Sequence, residues 1–311
     1  PAHDMVQNLT DSLSTLMAKG KMVSAVGACY FGSEEDNESF FVRFGWLRFK
    51  RQYCSECEIG ETLLPADFLI SSGSLIPMST IDGVGEWATS TISHGHGNRV
   101  EMLKELQFPN SLGLMYSAFT SFTGFRVNSG EYKVMGLAPY GEPKYSERIF
   151  DKLIDLKDDG SISLNMDYFS FPYSNCMTNK KFAQLFDGPR RLAESDLTQR
   201  EMDLACSVQV VVEEVVLRMA RHARKLINSK NLCLAGGVAL NCVSNGKLLK
   251  AGIYDEIWIQ PAAGDAGGAL GAAYGAYFKD GRQKRTVSLT DSMKGSFLGP
   301  KYDDDQIRSF L

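Results

Sequence analysis

Two aspartates in this chain stand where a carboxylate can do chemistry: Asp82 in the run IDGVGE and Asp265 in AGDAGG. Each follows a short apolar run and is flanked by glycine. Carboxylates at strand ends beside glycine turns can hold a divalent cation next to a nucleotide phosphate. A turn aspartate that bonds its own backbone is the alternative, and spacing leaves both open. Between them in sequence lies a second glycine signal, Gly236-Gly237, after the apolar run 232–235. The run 257–260 likewise precedes Gly264, Asp265, Ala266, Gly267 and Gly268. Such strand–turn–helix units aim backbone N–H groups at an anion. Paired glycines remove the Cβ that would keep a ligand off the backbone. A nucleotide site and two ordinary tight turns of an α/β domain are the competing readings.

Other candidates are single residues. Asn241 opens the helix after Gly236-Gly237 and can cap it or donate to a ribose or phosphate. Lys133 lies between an aromatic helix and a Pro-Tyr-Gly turn, a point charge for a phosphate or carbamoyl-type oxyanion or else a solvated lysine. His94 and His96, in SHGHG, are placed after a strand, at a hairpin tip rather than on a metal. His222 ends a long helix and reads as solvated or dipole-stabilised. Cys54-Ser-Glu-Cys57 is a lone CxxC without a second ligand pair.

These residues need a scaffold. The pattern predicts strands over 75–81, 87–92 and 100–108, the first two joined by an Asp-Gly turn. A helix capped at Asn110-Ser111 follows, with Leu112, Met115, Tyr116, Phe119 and Phe122 on one face. Residues 144–200 read as an insertion, with a short helix near 146–156, a hairpin around Asp158-Asp159-Gly160 and an aromatic loop. Residues 197–227 carry the longest helical stripe, through Met202, Ala205, Val208, Val212, Val215, Val216, Met219 and Ala223. A glycine- and alanine-rich helix is predicted over 266–277. The implied class is α/β.

Composition narrows the options. The chain has 311 residues, 44% hydrophobic and 23% charged, with a formal net charge of −4. No polybasic tract points to nucleic acid or anionic lipid. No apolar run reaches the roughly 18–20 residues of a membrane span. Seven scattered cysteines suit reduced thiols, so a cytoplasmic location is expected.

The runs TIDGVGEWATS, FPNSLGLMYSAFTSFTGFRVNSGEYKVMGLAPYGEP, LTQREMDLACSVQ and LAGGVALNCVSNGKLL…IWIQPAAGDAGGALGAAYGA resemble the nodulation-type O-carbamoyltransferase family, from about Ser79 to Leu311. The resemblance implies an actin/hexokinase/heat-shock-type ATPase fold (ribonuclease H-like), similar to the subunit that makes threonylcarbamoyl-adenosine in tRNA. It implies that a C-terminal YrdC-like domain makes carbamoyl-adenylate from carbamoyl phosphate and ATP. The ATPase-type domain then passes the carbamoyl group to a hydroxyl of a small molecule or sugar. By motif, Asp82 and Asp265 match metal ligands, iron(II) being the family's metal. Gly236, Gly237 and Asn241 match the nucleotide turn, with Gly264 and Gly267 beside it.

The chain also departs from the family, which places an HxxxH pair ahead of the DGxGE strand. Residues 55–79 contain no histidine. Residues 1–74 are unassigned, 75–279 form the ATPase-type domain, and 280–311 read as a linker toward a missing YrdC-like domain. The expectation is an incomplete copy with weak or absent activity. Its partners are carbamoyl phosphate and an acceptor hydroxyl, with homodimerisation open. A non-catalytic nucleotide-binding module and a sugar/acetate-kinase-like phosphotransferase are the alternatives.

Overall fold

A computed structural model describes residues 76–85, 87–96, 99–274, 276–277 and 300–311. The unassigned segment 1–74, with Cys54 and Cys57, lies outside them.

Strands β1 (Ile76–Ile81), β2 (Ala88–His96) and β3 (Arg99–Gln107) form an antiparallel meander. A two-stranded hairpin, β4 (Ile154–Leu156) and β5 (Ile162–Leu164), turns around Asp158–Gly160 as expected. Strands β6 (Asn231–Ala235) and β7 (Glu256–Ile259) then add in parallel on the far side of β1. The five-stranded order is β3-β2-β1-β6-β7. Numbered within the sheet it reads 3-2-1-4-5 with the second strand antiparallel, the ribonuclease H-like sheet of actin/hexokinase-type ATPases. The fold class is α/β of that type.

The helices are α1 (Leu112–Phe122), α2 (Glu131–Leu137), α3 (Lys180–Leu185), α4 (Gln199–Leu226), α5 (Cys242–Lys250), α6 (Asp265–Tyr274) and α7 (Asp304–Phe310). Ser111 caps α1 by accepting from the Leu114 N–H at 2.9 Å. Helix α4 starts at a capping box between Thr198 and Glu201. Along β6, Leu232 and Leu234 face the main core while Cys233 and Ala235 face the opposite side with Met78 and Trp258. The main core packs α1 and α4 against β1 and β6.

Several boundaries differ from the sequence reading. Residues 146–156 make one helical turn (Ser146–Arg148), a π turn (Ile149–Leu153) and then β4. Strand pairing of Ile154 with Leu164 takes over from helical propensity there. The segment read as an insertion contributes to the central core. Phe182 lies edge-on to Phe119 and Phe122 at 5.2 and 4.9 Å, and Phe169 and Phe186 are fully buried beside it. Helix α6 is α-helical over Asp265–Tyr274, and residues 276–277 beyond it are helical too, at the expected end. His94 and His96 end strand β2 at the tip of the β2–β3 hairpin, as expected. The β2–β3 ladder carries on through His96, and His94 Nε2 lies 3.5 Å from Glu101.

Asp203 on α4 docks the Pro-Tyr-Gly turn. Its Oδ1 accepts from the Glu142 N–H at 2.8 Å and Gln199 Nε2 at 2.9 Å, and its Oδ2 from Lys144 Nζ at 2.9 Å. A Cβ on Gly141 would fall 2.0 Å from the Met202 carbonyl oxygen, so the approach requires glycine. Burial pushes the Asp203 pKa up, but the Gln199, Glu142 and Lys144 contacts outweigh it and hold it below the usual carboxylate value. A carboxylate depressed in the folded state stabilises above its unfolded pKa, and that stability is lost as pH falls through the folded one. Asp203→Asn is therefore expected to lower stability by about 1–2 kcal/mol at pH 7. It should also flatten the acid side of the stability curve below about pH 4. Thermal denaturation from pH 7 to pH 3 measures both. Parallel curves for the two proteins would refute the assignment.

Candidate functional site

Three parallel strands, β1, β6 and β7, end on the same side of the sheet, where α/β proteins bind ligands. Their exits are Asp82, Gly236 and the turn leading to Gly264 and Asp265.

Asp82 ties the first exit to the second. Its Oδ1 accepts from the Gly83 N–H at 2.7 Å and, across 155 residues, from the Gly237 N–H at 3.2 Å. Its Oδ2 has no hydrogen-bond partner among the described residues. One oxygen thus scaffolds the turn and the other remains for a donor or cation.

Gly236 ties the second exit to the third. Its N–H donates to the Ala263 carbonyl at 2.8 Å, and its φ of 93° with ψ of 163° is backbone that essentially only glycine adopts. A Cβ there would sit 2.3 Å from the Ile81 carbonyl oxygen. At Gly237 a Cβ would lie 3.0 Å from Asp82 Oδ1, and one on Gly264 would touch Gly237 Cα at 3.8 Å. Asp82, Gly236, Gly237 and Gly264 are therefore packed backbone to backbone. Asp265 begins α6 beside them as an exposed side chain. Gly267 is required by its own turn, since a Cβ there would fall 2.1 Å from the Ala262 carbonyl oxygen.

Helix α1 closes the floor. Ser111 Oγ lies 3.1 Å from the Asp82 carbonyl oxygen, and a Cβ on Gly113 would fall 2.5 Å from that same oxygen.

Asn241 takes the capping alternative. Its Oδ1 accepts from the Ser244 N–H at 3.0 Å, and its buried amide pairs reciprocally with Gln209 of α4 at 2.9 and 3.1 Å. Gln209 also accepts from the Tyr116 hydroxyl at 3.2 Å and donates to Glu213 at 3.1 Å, while Lys247 Nζ donates to Glu213 at 2.6 Å. Burial, ahead of the charges on Glu131 and Glu213, pushes the Tyr116 pKa far up, so it stays a neutral hydroxyl. This network fixes α5, the helix that follows the glycine pair, against α1 and α4. Gln209 and Glu213 were missed from sequence. They read as the polar flank of the apolar stripe of α4, and only their distant partners show them to be buried.

Lys133 is not brought to the strand ends. It is exposed, with Nζ 5.8 Å from the Phe125 ring centre. His94 at Glu101 and His222, in the field of Asp159, are also elsewhere. Among the described residues no group of three or more His, Cys, Asp or Glu side chains could share a metal. Asp82 and Asp265, the two carboxylates at the strand ends, are a donor set that suits a hard cation with water as its other ligands. An imidazole-rich iron set is not among the described residues.

The motifs that suggested the family thus contact one another. TIDGVGE meets LAGGVALN at Asp82–Gly237, and LTQREMDLACSVQ meets LAGGVALN at Gln209–Asn241. A family model for the carbamoyltransferase N-terminus matches residues 66–274. An uncharacterized protein of Synechocystis sp. is 58% identical over 74% of this chain and 38% of its own length. Nodulation protein NolNO of Sinorhizobium fredii is 38% identical over 62% of the chain and 27% of its own length. A solved structure, component A of the (R)-2-hydroxyglutaryl-CoA dehydratase of Acidaminococcus fermentans, covers 70% of this chain and 66% of its own. Its 16% identity and TM-score of 0.37 make it a distant neighbour. The chain spans well under half the length of both curated relatives. No helix among the described residues is long and apolar enough to cross a membrane. By its motifs, and by a family match over most of its length, the chain belongs to the carbamoyltransferases.

Proposed function

We propose that the strand-end site binds an adenine nucleotide and a divalent cation, and serves transfer of a carbamoyl group to an acceptor hydroxyl. The observation that carries this reading is the Asp82 Oδ1 to Gly237 N–H bond. It packs two glycine turns against a carboxylate whose second oxygen is left for a cation. First-turn amides of the segments after Gly236 and Gly264 suit a phosphate. Asp82 Oδ2 and Asp265 would hold the cation, which neutralises phosphate charge when bound. The acceptor oxygen forms a bond to the carbamoyl carbon, the carbon–oxygen bond to the adenylate phosphate breaks, and the hydroxyl proton passes to solvent. Amides already aimed at the phosphate stabilise the charge on the departing adenylate. Carbamoyl-adenylate as donor, ATP and carbamoyl phosphate as its sources, and iron(II) as the metal all belong to this proposal.

Calorimetric titration with ATP and Mn²⁺ tests it. The chain is expected to bind ATP, and Gly237→Ala to weaken binding about tenfold, the equivalent of about 1.4 kcal/mol. Its new methyl would displace Asp82 Oδ1 from the turn. Equal affinity in the two proteins would move the nucleotide elsewhere.

A further inference from the structure

Three cations lie around the junction of α1 with α2: Lys133, Arg190 and Arg191. Phe125 carries two of them. The Arg191 guanidinium lies 5.1 Å from its ring centre and Lys133 Nζ 5.8 Å. Arg190 Nη1 reaches Ser121 Oγ on α1 at 3.4 Å. Among the described residues none of the three has a carboxylate within salt-bridge distance, whereas Lys144, Arg148, Arg200, Arg218 and Lys247 each have one. In a chain of net charge −4, an unneutralised group of cations is not explained by composition.

Arg191 is moreover held in place. Its Nε donates to the Thr123 carbonyl at 2.6 Å and its Nη1 to the Ser195 carbonyl. Three of its five N–H donors remain unspent. Gly124, with φ of 81°, lets the guanidinium in, since a Cβ there would lie 2.9 Å from Arg191 Nε. Carbonyl partners fix the group without cancelling its charge. A planar fork held this way is organised to meet an oxyanion.

We propose that the Phe125 patch is a second anion site, taking a phosphate-type oxyanion through Arg191, Lys133 and Arg190. Its place in the reaction rests on the carbamoyl-transfer reading. Helix α2, which carries Lys133, also presents Met135, whose Sδ lies 3.8 Å from Cys242 Sγ at the start of α5. Helix α2 thus links the patch to α5, the helix that follows the Gly236-Gly237 turn. The oxyanion is carried either by carbamoyl phosphate or by an acidic acceptor sugar.

The test is titration of the whole chain at low ionic strength, where exposed charge is least screened, with inorganic phosphate, carbamoyl phosphate, glucose 6-phosphate and uncharged glucose. Phosphate is expected to bind and glucose not to. Lys133→Gln should weaken phosphate binding about fivefold and Arg191→Gln at least about tenfold. Should Arg191→Gln fail to fold, Lys133→Gln decides, because that side chain is exposed and makes only the ring contact. Preference for carbamoyl phosphate assigns the site to the donor, and preference for glucose 6-phosphate to the acceptor. Unchanged phosphate affinity in both Lys133→Gln and Arg190→Gln overturns the proposal. The two sites separate cleanly. Gly237→Ala should weaken ATP and leave glucose 6-phosphate unchanged. A chain that binds glucose 6-phosphate through Lys133 but not ATP would sink the nucleotide reading alone.

Discussion

Gly236→Ala is expected to destabilise the protein by about 3–5 kcal/mol and to lower its melting temperature by about 10 °C. Two costs combine. The backbone at 236 has φ of 93° and ψ of 163°, a region that side chains avoid. The new methyl would also sit 2.3 Å from the Ile81 carbonyl oxygen, where neither strand can yield without opening the β1–β6 pairing. Gly246 supplies the control. It lies inside α5 with nothing within 4 Å of an added methyl, so Gly246→Ala should stabilise by about 0.5–1 kcal/mol. Differential scanning calorimetry reads both. A melting point for Gly236→Ala within about 2 °C of wild type would contradict the described turn.

Asp82→Asn should divide scaffold from chemistry. The amide oxygen can replace Oδ1 and keep accepting from Gly83 and Gly237, so the fold should lose less than about 1 kcal/mol. The amide nitrogen replaces Oδ2, the oxygen assigned to the cation, and removes the negative charge. Affinity for ATP with Mn²⁺ is expected to fall about 30- to 100-fold, corresponding to about 2–3 kcal/mol for a lost charge-assisted contact. ATP affinity without the metal should change little. If both affinities fall together, Asp82 acts only through the turn.

What was legible in the sequence was local and periodic. The Asp82-Gly83 turn, the Ser111 cap and the buried apolar run of β6 were readable because each is set by neighbours a few residues away. The family resemblance placed Asp82, Gly236 and Gly237 in one site, and the strand order brings them together. Burial of polar side chains was not readable. Asp203, Gln209 and Glu213 look like the wet side of an amphipathic helix until Glu142, Asn241 and Lys247 arrive from distant segments. The same blindness covers 146–156, where helical residues form strand β4 because a partner strand is present. Lys133 was legible as an exposed charge, but its place beside the Phe125 ring was not.

The pairing of β1 with β6 has a consequence during synthesis. Met78 must wait for Cys233, its partner in the parallel ladder, to be made. At roughly 5–20 residues per second, that interval is on the order of 10–30 s. Throughout it, the β1–β2–β3 meander can form but shows a bare hydrogen-bonding edge along β1, a template for another chain. The side of the strand that later builds the site is thus the one a nascent chain leaves open longest. A ribosome-bound chain halted before residue 231 is therefore expected to offer this edge to chaperones or to another chain.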